Sequence, residues 1–444
     1  MRKKSNSVSV GRSLEVLASS NDVAITDYLD RPSHRRKKLN QYIRGERVGK
    51  GRHGEVYMGQ DTLHDHRDVP PGRAQAIKIV KRSNPKDKIK LLRRNYQQTD
   101  GSTKQALNST ENSIRREIAV MKHLRHPNLA SLLEVIDDPR EEKIYLIMEY
   151  IAGGTVEWSD TINHSPLLSL AQTRRVMRDV ILGLEYRIVH RDVKPSNIMY
   201  TADRGSVKLI DFGISHIMLP PPPKKEKDDP IDPDLRELFC PSDLRKRVGT
   251  PSFLAPEVVW FSDDSSSSKD RVSFETIPTA SSHAGSETVV VVQTFPMPKA
   301  RPPITPAIDV WSLGVTFYCL LFGHTPFNGS SSENQTEFML YHQICTQGWR
   351  PEERMGADQV PTCGRHPTDP PSEGFSVMQL LEGMLQKHPK DRISLNQVKC
   401  HPFILQDVSN SKEWLKLTTP VTPFPDCVSR WKRAARILAS VLKG

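Results

Sequence analysis

"EYRIVHRDVKPSN", Glu185–Asn197, is the stretch on which the reading of the fold turns. Its right half, HRDVKPSN, places Asp192, Lys194 and Asn197 on one tight loop around Pro195. The three side chains supply a carboxylate for a hydroxyl proton, a cation for a phosphate and an amide oxygen for Mg²⁺. The five-residue spacing turns Asp192 and Asn197 toward a common centre. Its left half closes an apparent helix, "SLAQTRRVMRDVILGLEY", with Ser169 and Gln172 at capping-box spacing. The apolar face of that helix is Val176, Met177, Val180, Ile181 and Leu184. Only Arg187 then separates Tyr186 from the strand-like Ile188-Val189.

Working outward, "LIDFGIS" sets Asp211 after a strand, a second oxygen ligand for Mg²⁺. Upstream, "VGKGRHGEVYMG" carries Gly49, Gly51, Gly54 and Val56. A dinucleotide site needs a helix after such glycines. Glu55-Val56-Tyr57 alternates like a strand instead, so the loop is read as a β-hairpin whose backbone can lie against phosphates. "AQAIK" ends at Lys78 on a strand, and "NSIRREIAVMKHLRHPN" places Ile114, Ile118, Met121 and Leu124 at helical spacing. Glu117 on that helix is a candidate carboxylate partner for Lys78. Downstream, "GTPSFLAPE" (Gly249–Glu257), "DVWSLGV" (Asp309–Val315) and "KDRIS" (Lys390–Ser394) follow in order.

Together these fragments resemble the eukaryotic protein kinases. The resemblance covers about residues 42–404. It implies an α+β, bilobal kinase fold: a small β-rich N-lobe (42–148) with one regulatory helix, and a larger helical C-lobe (149–404), with ATP between them. It further implies that Asp192, Lys194, Lys78 and Glu117 are catalytic and that Asn197 and Asp211 hold Mg²⁺. Gly49, Gly51, Gly54, Val56, Ala76, Lys78, Met148 (the gatekeeper), Glu149, Ile151 and Met199 would contact the nucleotide. Glu257 and Arg392 match the family's buried ion pair, and Asp309 matches the residue that braces the HRD backbone. Lys194 and Thr250 look like the Ser/Thr type.

"IRREIAVMKHLRHPNLASLLEVIDDPREEKIYLIMEY", "HRDVKPSNIM" and "VGTPSFLAPE" look like the calcium/calmodulin-dependent kinase kinase group, which includes fungal activators of AMP-activated-type kinases. The implied partner is a protein substrate, another Ser/Thr kinase. The group's basic insert has a counterpart here, since Lys78 and Glu117 are 39 positions apart. Arg247 stands where many kinases carry a phosphorylatable Thr, leaving Arg191 no evident phosphate and Ser242 as the local phosphosite candidate. Against relatives, about four residues are missing around Arg187. Either the helix end unwinds near Gly183 or the sequence reflects an imperfect gene model. The competing function class is a kinase-like scaffold, against which every catalytic position is filled.

The bulk numbers agree with a soluble chain rich in loops. Of 444 residues 36% are hydrophobic, mean hydropathy is −0.51 and 34 are Pro. The net charge of +11 reads as a solvated surface, because no interleaved basic and aromatic motif points to nucleic acid. Six Cys without ligand spacing are expected to be reduced thiols in a cytoplasmic or nuclear protein. The longest apolar run, near "VWSLGVTFYCLLFG", is too short to span a bilayer, and no signal peptide is expected. Residues 1–41 read as a disordered basic leader. Segments 81–112, 219–243 and 262–303 read as extended or disordered insertions, the last with a strand-like "ETVVVVQTF". In the tail, 405–444, the stretch 428–444 reads as a basic amphipathic helix. Trp431, Ala435, Leu438 and Leu442 fall on one face, which suits calmodulin.

Overall fold

In the computed structural model the described residues are 23–30, 37–51, 54–62, 74–82, 109–185, 188–223, 231, 233–261, 295–296, 298, 300–327, 337–367 and 372–419. The chain divides into two units. One comprises the residues up to Arg82 with Leu132–Tyr150; the other comprises Ser83–Ser131 and Ile151 onward.

The first unit is built on a seven-stranded sheet in the order β1-β6-β7-β5-β4-β3-β2. Its strands are β1 (Ala24–Thr26), β2 (Lys38–Leu39), β3 (Tyr42–Gly51), β4 (Gly54–Asp61), β5 (Ala74–Lys81), β6 (Leu132–Ile136) and β7 (Lys143–Glu149). Alternation sorts their side chains. Tyr57, Ile77, Ile79, Tyr145 and Ile147 join Leu39, Tyr42 and Ile136 in one core. The paired residues Val56↔Lys78, Lys78↔Leu146 and Ala76↔Met148 therefore share the opposite face. β3 and β4 form the expected glycine hairpin, with Gly49 opposite Val56 and Gly51 opposite Gly54.

Ordered structure begins earlier than the sequence reading put it. β1 lies within the stretch expected to be a disordered leader, yet it pairs in parallel with β6. The reason is polar as well as steric. Buried Glu134 accepts hydrogen bonds from the Thr26 hydroxyl, Gln41 Nε2 (2.9 Å) and the Tyr42 hydroxyl (2.6 Å). Leu29 N donates to Asp138, and Asp137 N donates to Thr26 O. The β6 edge, otherwise a row of unpaired backbone groups, is thereby covered. Burial, and then Glu134, pushes the Tyr42 phenol far above its ordinary value. Replacing Glu134 by Leu removes the acceptor of these three hydrogen bonds, so urea unfolding should show a loss of about 1–3 kcal/mol. An unchanged midpoint would mean that the knot contributes nothing.

The second unit carries the helices. In α1 (Ser109–His123) the predicted face is buried: Ile114, Ile118 and Met121, with Leu124 just beyond. This helix, expected in the small lobe, groups with the second unit, where Arg116 Nε donates to Leu238 O at 2.6 Å. α2 (Leu170–Leu184) has the expected capping box and buries all five of its predicted apolar residues. Glu185 N still donates to Ile181 O, so the helix stays regular through Gly183 and the unwinding reading does not hold that far. Tyr186 and Arg187 lie outside the described residues. The chain resumes in β8 (Ile188–Val189), β9 (Ile198–Tyr200), β10 (Val207–Leu209) and β11 (His216–Ile217).

The second insertion also departs from expectation. Instead of an extended loop, 233–245 contains α3 (Pro233–Leu238) and a short 3₁₀ turn, Pro241–Arg245. Ile231, Leu235 and Phe239 are buried at a spacing of four, which gives the helix a face to pack. Pro233 opens it, where a missing N–H costs no helical bond. α4 (Pro256–Val259) and α5 (Ala307–Phe322) follow, α5 being buried from Ile308 to its end. α6 (Glu337–Thr346), α7 (Glu373–Met384), α8 (Leu395–Lys399), α9 (Pro402–Leu405) and α10 (Ser411–Thr418) complete the unit. No helix among the described residues is long and apolar enough to cross a membrane. The basic insert at 83–108, the Ser-rich insert at 262–294 with most of "ETVVVVQTF", and the tail helix 428–444 lie outside the described residues.

Candidate active site

Short backbone bonds set the Asp192 loop. After β8, Arg191 takes a left-handed conformation (φ 70°), reversing the chain so that Asp192 and Asn197 converge. Lys194 precedes the 3₁₀ turn Pro195–Asn197, and Asn197 N donates to Lys194 O at 3.0 Å. Asn197 Nδ2 then bonds the Asp192 carbonyl (2.9 Å) and Oδ2 (3.0 Å). Lys194 Nζ stands 2.9 Å from the same Oδ2. The other oxygen, Oδ1, accepts from Thr250 N (3.0 Å) and the Thr250 hydroxyl (2.7 Å). That hydroxyl itself accepts from Lys194 Nζ at 2.6 Å. Four donors thus fix one carboxylate, so its orientation is set before any substrate arrives.

Sequence reasoning used Thr250 only as a marker of type and missed its bonds to Asp192. Its position is set by Gly249, whose φ of 120° and close approach exclude a side chain: a Cβ there would lie 2.6 Å from Arg191 O. The stretch around Gly249 therefore lies directly on the catalytic loop.

Behind the loop, Asp309 of α5 accepts His190 N (2.6 Å) and Arg191 N (2.8 Å), as the resemblance implied. Burial pushes its carboxyl up to about 6, against the pull of those two N–H groups and Arg191. Two α5 hydroxyls missed in the sequence add to the support: Ser312 donates to Phe253 O and Thr316 to Val193 O. His190 is fully buried, which lowers its pKa and keeps the ring neutral. Its Nδ1 accepts from Asp192 N, leaving Nε2–H to donate to Ile210 O at 3.1 Å. Ile210 N in turn donates to Asn197 O, so the residue before Asp211 is tied to both ends of the loop. Asp211 has φ 64° and accepts Gly213 N at 3.3 Å.

Asn197 and Asp211 suit the hard cation that the family implies. With Asn197 Nδ2 engaged on Asp192, its amide oxygen is the group offered to a cation, and Asp211 offers an exposed carboxylate. Among the described residues no three His, Cys, Asp or Glu side chains cluster as a cage. Mg²⁺ takes few protein ligands and completes its shell with phosphate and water.

The remaining predicted residues are placed unit by unit. In the first, Gly49, Gly51, Gly54 and Val56 form the hairpin, Ala76 and Lys78 lie on β5, and Met148 and Glu149 on β7. Val56, Ala76, Lys78 and Met148 line one sheet face; Glu149, out of step with them, is opposite Gln75. Lys78 is buried. In the second unit Glu117 is buried on α1, Ile151 is buried, and Met199 sits on β9 bridged to Thr155. Farther out, Glu257 and Arg392 form the expected pair through two bonds of 2.8 and 3.0 Å, with both side chains fully buried.

Residues 42–274 and 281–404 match the family model described as "Protein kinase domain". Over 391 residues the chain is 34% identical to "Serine/threonine-protein kinase ssp1" of Schizosaccharomyces pombe, covering 87% of this chain and 46% of that protein. It is 31% identical over 393 residues to "SNF1-activating kinase 1" of Saccharomyces cerevisiae, covering 86% and 29% respectively. "Serine/threonine-protein kinase GRIK2" of Arabidopsis thaliana is 26% identical over 382 residues, covering 85% of this chain and 69% of its own length. The chain therefore spans less than half the length of the first two relatives.

Proposed function

The chain belongs to the protein kinase family, and we propose that it transfers the γ-phosphate of ATP to Ser or Thr hydroxyls in the activation loops of other protein kinases. The observation that carries the catalytic part is the Asp192 carboxylate, oriented by Thr250, Lys194 and Asn197. Asp192 receives the substrate hydroxyl and takes its proton as the hydroxyl oxygen attacks. Lys194, 2.9 Å from Asp192, brings positive charge to the transferred group. Lys78 holds the nucleotide phosphates from the sheet face that it shares with Val56 and Ala76. Asn197 and Asp211 would hold Mg²⁺, which when bound neutralises phosphate charge.

The choice of substrate is supported by resemblance. One relative is named for activating SNF1, and the Ile114–Tyr150 and Val248–Glu257 motifs resemble kinases that act on other kinases. The group's link to calcium extends this reading: a basic helix at 428–444 would receive calmodulin. Incubation with MgATP and a catalytically dead Ser/Thr kinase should place phosphate on one activation-loop Thr, read by mass spectrometry. Phosphate scattered over the substrate surface, with that Thr unmodified, would overturn the substrate assignment.

A further inference from the structure

Arg247 stands where many kinases carry a phosphorylatable Thr, yet the turn whose backbone Arg191 binds carries a buried anion. Asp243, in the 3₁₀ turn after α3, is buried. Its Oδ2 pairs with Arg116 of α1, and its Oδ1 with Lys246. Arg116 also donates through Nε to Leu238 O. Arg191 Nη2 donates to the Asp243 carbonyl (3.2 Å) and the Lys246 carbonyl (2.7 Å). His216 is buried, and burial, with the two arginines adding to it, lowers its pKa to about 4, so it adds no charge. Two arginines from distant parts of the chain and one nearby lysine therefore converge on a turn with a single buried carboxylate.

We infer that Asp243 is an encoded anion in the place of an activating phosphate, a positioning residue that holds 240–250 on the catalytic loop without modification. The inference rests on the kinase reading and deepens it by naming how the site is regulated. A phosphate in such a place works by pairing with arginines from a helix and a catalytic loop. Asp243 meets that demand with one negative charge, and the backbone carbonyls of its own turn take up Arg191. Order then passes along a short path. Seven residues beyond Asp243, Thr250 binds the Asp192 carboxylate, while Gly249 lies against Arg191 O. Ser242, the alternative modification site, is exposed, and its hydroxyl meets Cys240 Sγ. Arg247, where many kinases carry a Thr, stacks on the Tyr341 ring at 4.9 Å and leaves the anion role to Asp243.

The test uses the full chain. Phosphatase treatment and Ser242→Ala should leave kcat unchanged. Asp243→Asn should lower kcat by about ten- to hundred-fold, the loss of one charge-assisted pair, with KM for ATP little changed. Asp243→Glu should retain most activity. Asp243→Ser should be inactive until phosphoserine is encoded at the position, whose added charge restores it; a merely structural Asp would not be rescued in this way. Arg116→Gln should add nothing to the loss from Asp243→Asn. Amide exchange over 240–250 should be faster in Asp243→Asn than in the parent, and this readout needs no activity. If the parent transfers no phosphate but the exchange difference is present, the kinase reading fails and the anchoring role stands. Unchanged kcat and unchanged exchange in Asp243→Asn, or inactivation of the parent by phosphatase, would overturn the inference.

Discussion

Asp192→Asn is expected to lower kcat by about 10²–10⁴-fold, the range for losing a positioned general base. KM for ATP should barely move, because the bonds that shape the loop do not depend on the carboxylate charge alone. Asn at this position can still accept from Thr250 N through its one side-chain oxygen, and Asn197 Nδ2 keeps its bond to the backbone carbonyl of residue 192, so the geometry described here is largely kept. What it loses is the capacity to take a proton from an attacking hydroxyl, together with the ion pair to Lys194 at 2.9 Å. Single-turnover kinetics beside a thermal melt separate these effects. A melt matching the parent with slowed chemistry is the expected pair of results, and an unslowed chemical step would remove Asp192 from the mechanism.

The largest effect on stability is expected at Glu257. Its carboxylate meets Arg392 in a two-bond, fully buried pair. Arg392 also donates to Gln386 O and Ala307 O and lies over the Trp311 ring at 5.2 Å. Glu257→Ala leaves that guanidinium buried and uncompensated, which should cost about 3–5 kcal/mol. At about 2.1 cal/mol/K of unfolding entropy per residue, that loss lowers the melting point of this 444-residue chain by roughly 3–5 °C. The double replacement Glu257→Leu with Arg392→Leu should be milder than either single change, since no orphan charge remains. Arg47→Gln, which breaks the exposed pair with Glu55, should leave the melting point unchanged. Equal shifts for the exposed and buried pairs would contradict this account.

Much of the site was legible because its chemistry is compressed into short runs. HRDVKPSN and LIDFGIS carry their geometry locally, through one turn and one strand, so spacing alone places Asp192 against Asn197. The capping box at Ser169 and the buried face of α2 were readable for the same reason: periods of three and four residues belong to a single element. The links that failed to show are long-range. Thr250 reaches Asp192 across 58 residues, and Arg116 reaches Asp243 across 127. Neither pairing leaves a local pattern. In the 219–243 segment four consecutive prolines masked the signal, although Ile231, Leu235 and Phe239 already stood at helical spacing. β1 is three residues long, too short for a period, and its place depends on Glu134, more than a hundred residues away. The calmodulin helix and the shortened turn at Arg187 lie outside the described residues and stay as sequence readings.

The central claim is that this chain is an active phosphotransferase. Its most direct test is the rate of phosphate transfer from MgATP to a catalytically dead kinase substrate by the parent chain, Lys78→Met and Asp192→Asn, at matched concentration. The parent is expected to transfer phosphate at a rate that falls by at least about a hundred-fold in both variants. Transfer equally slow in all three would contradict it and make the chain a kinase-like scaffold.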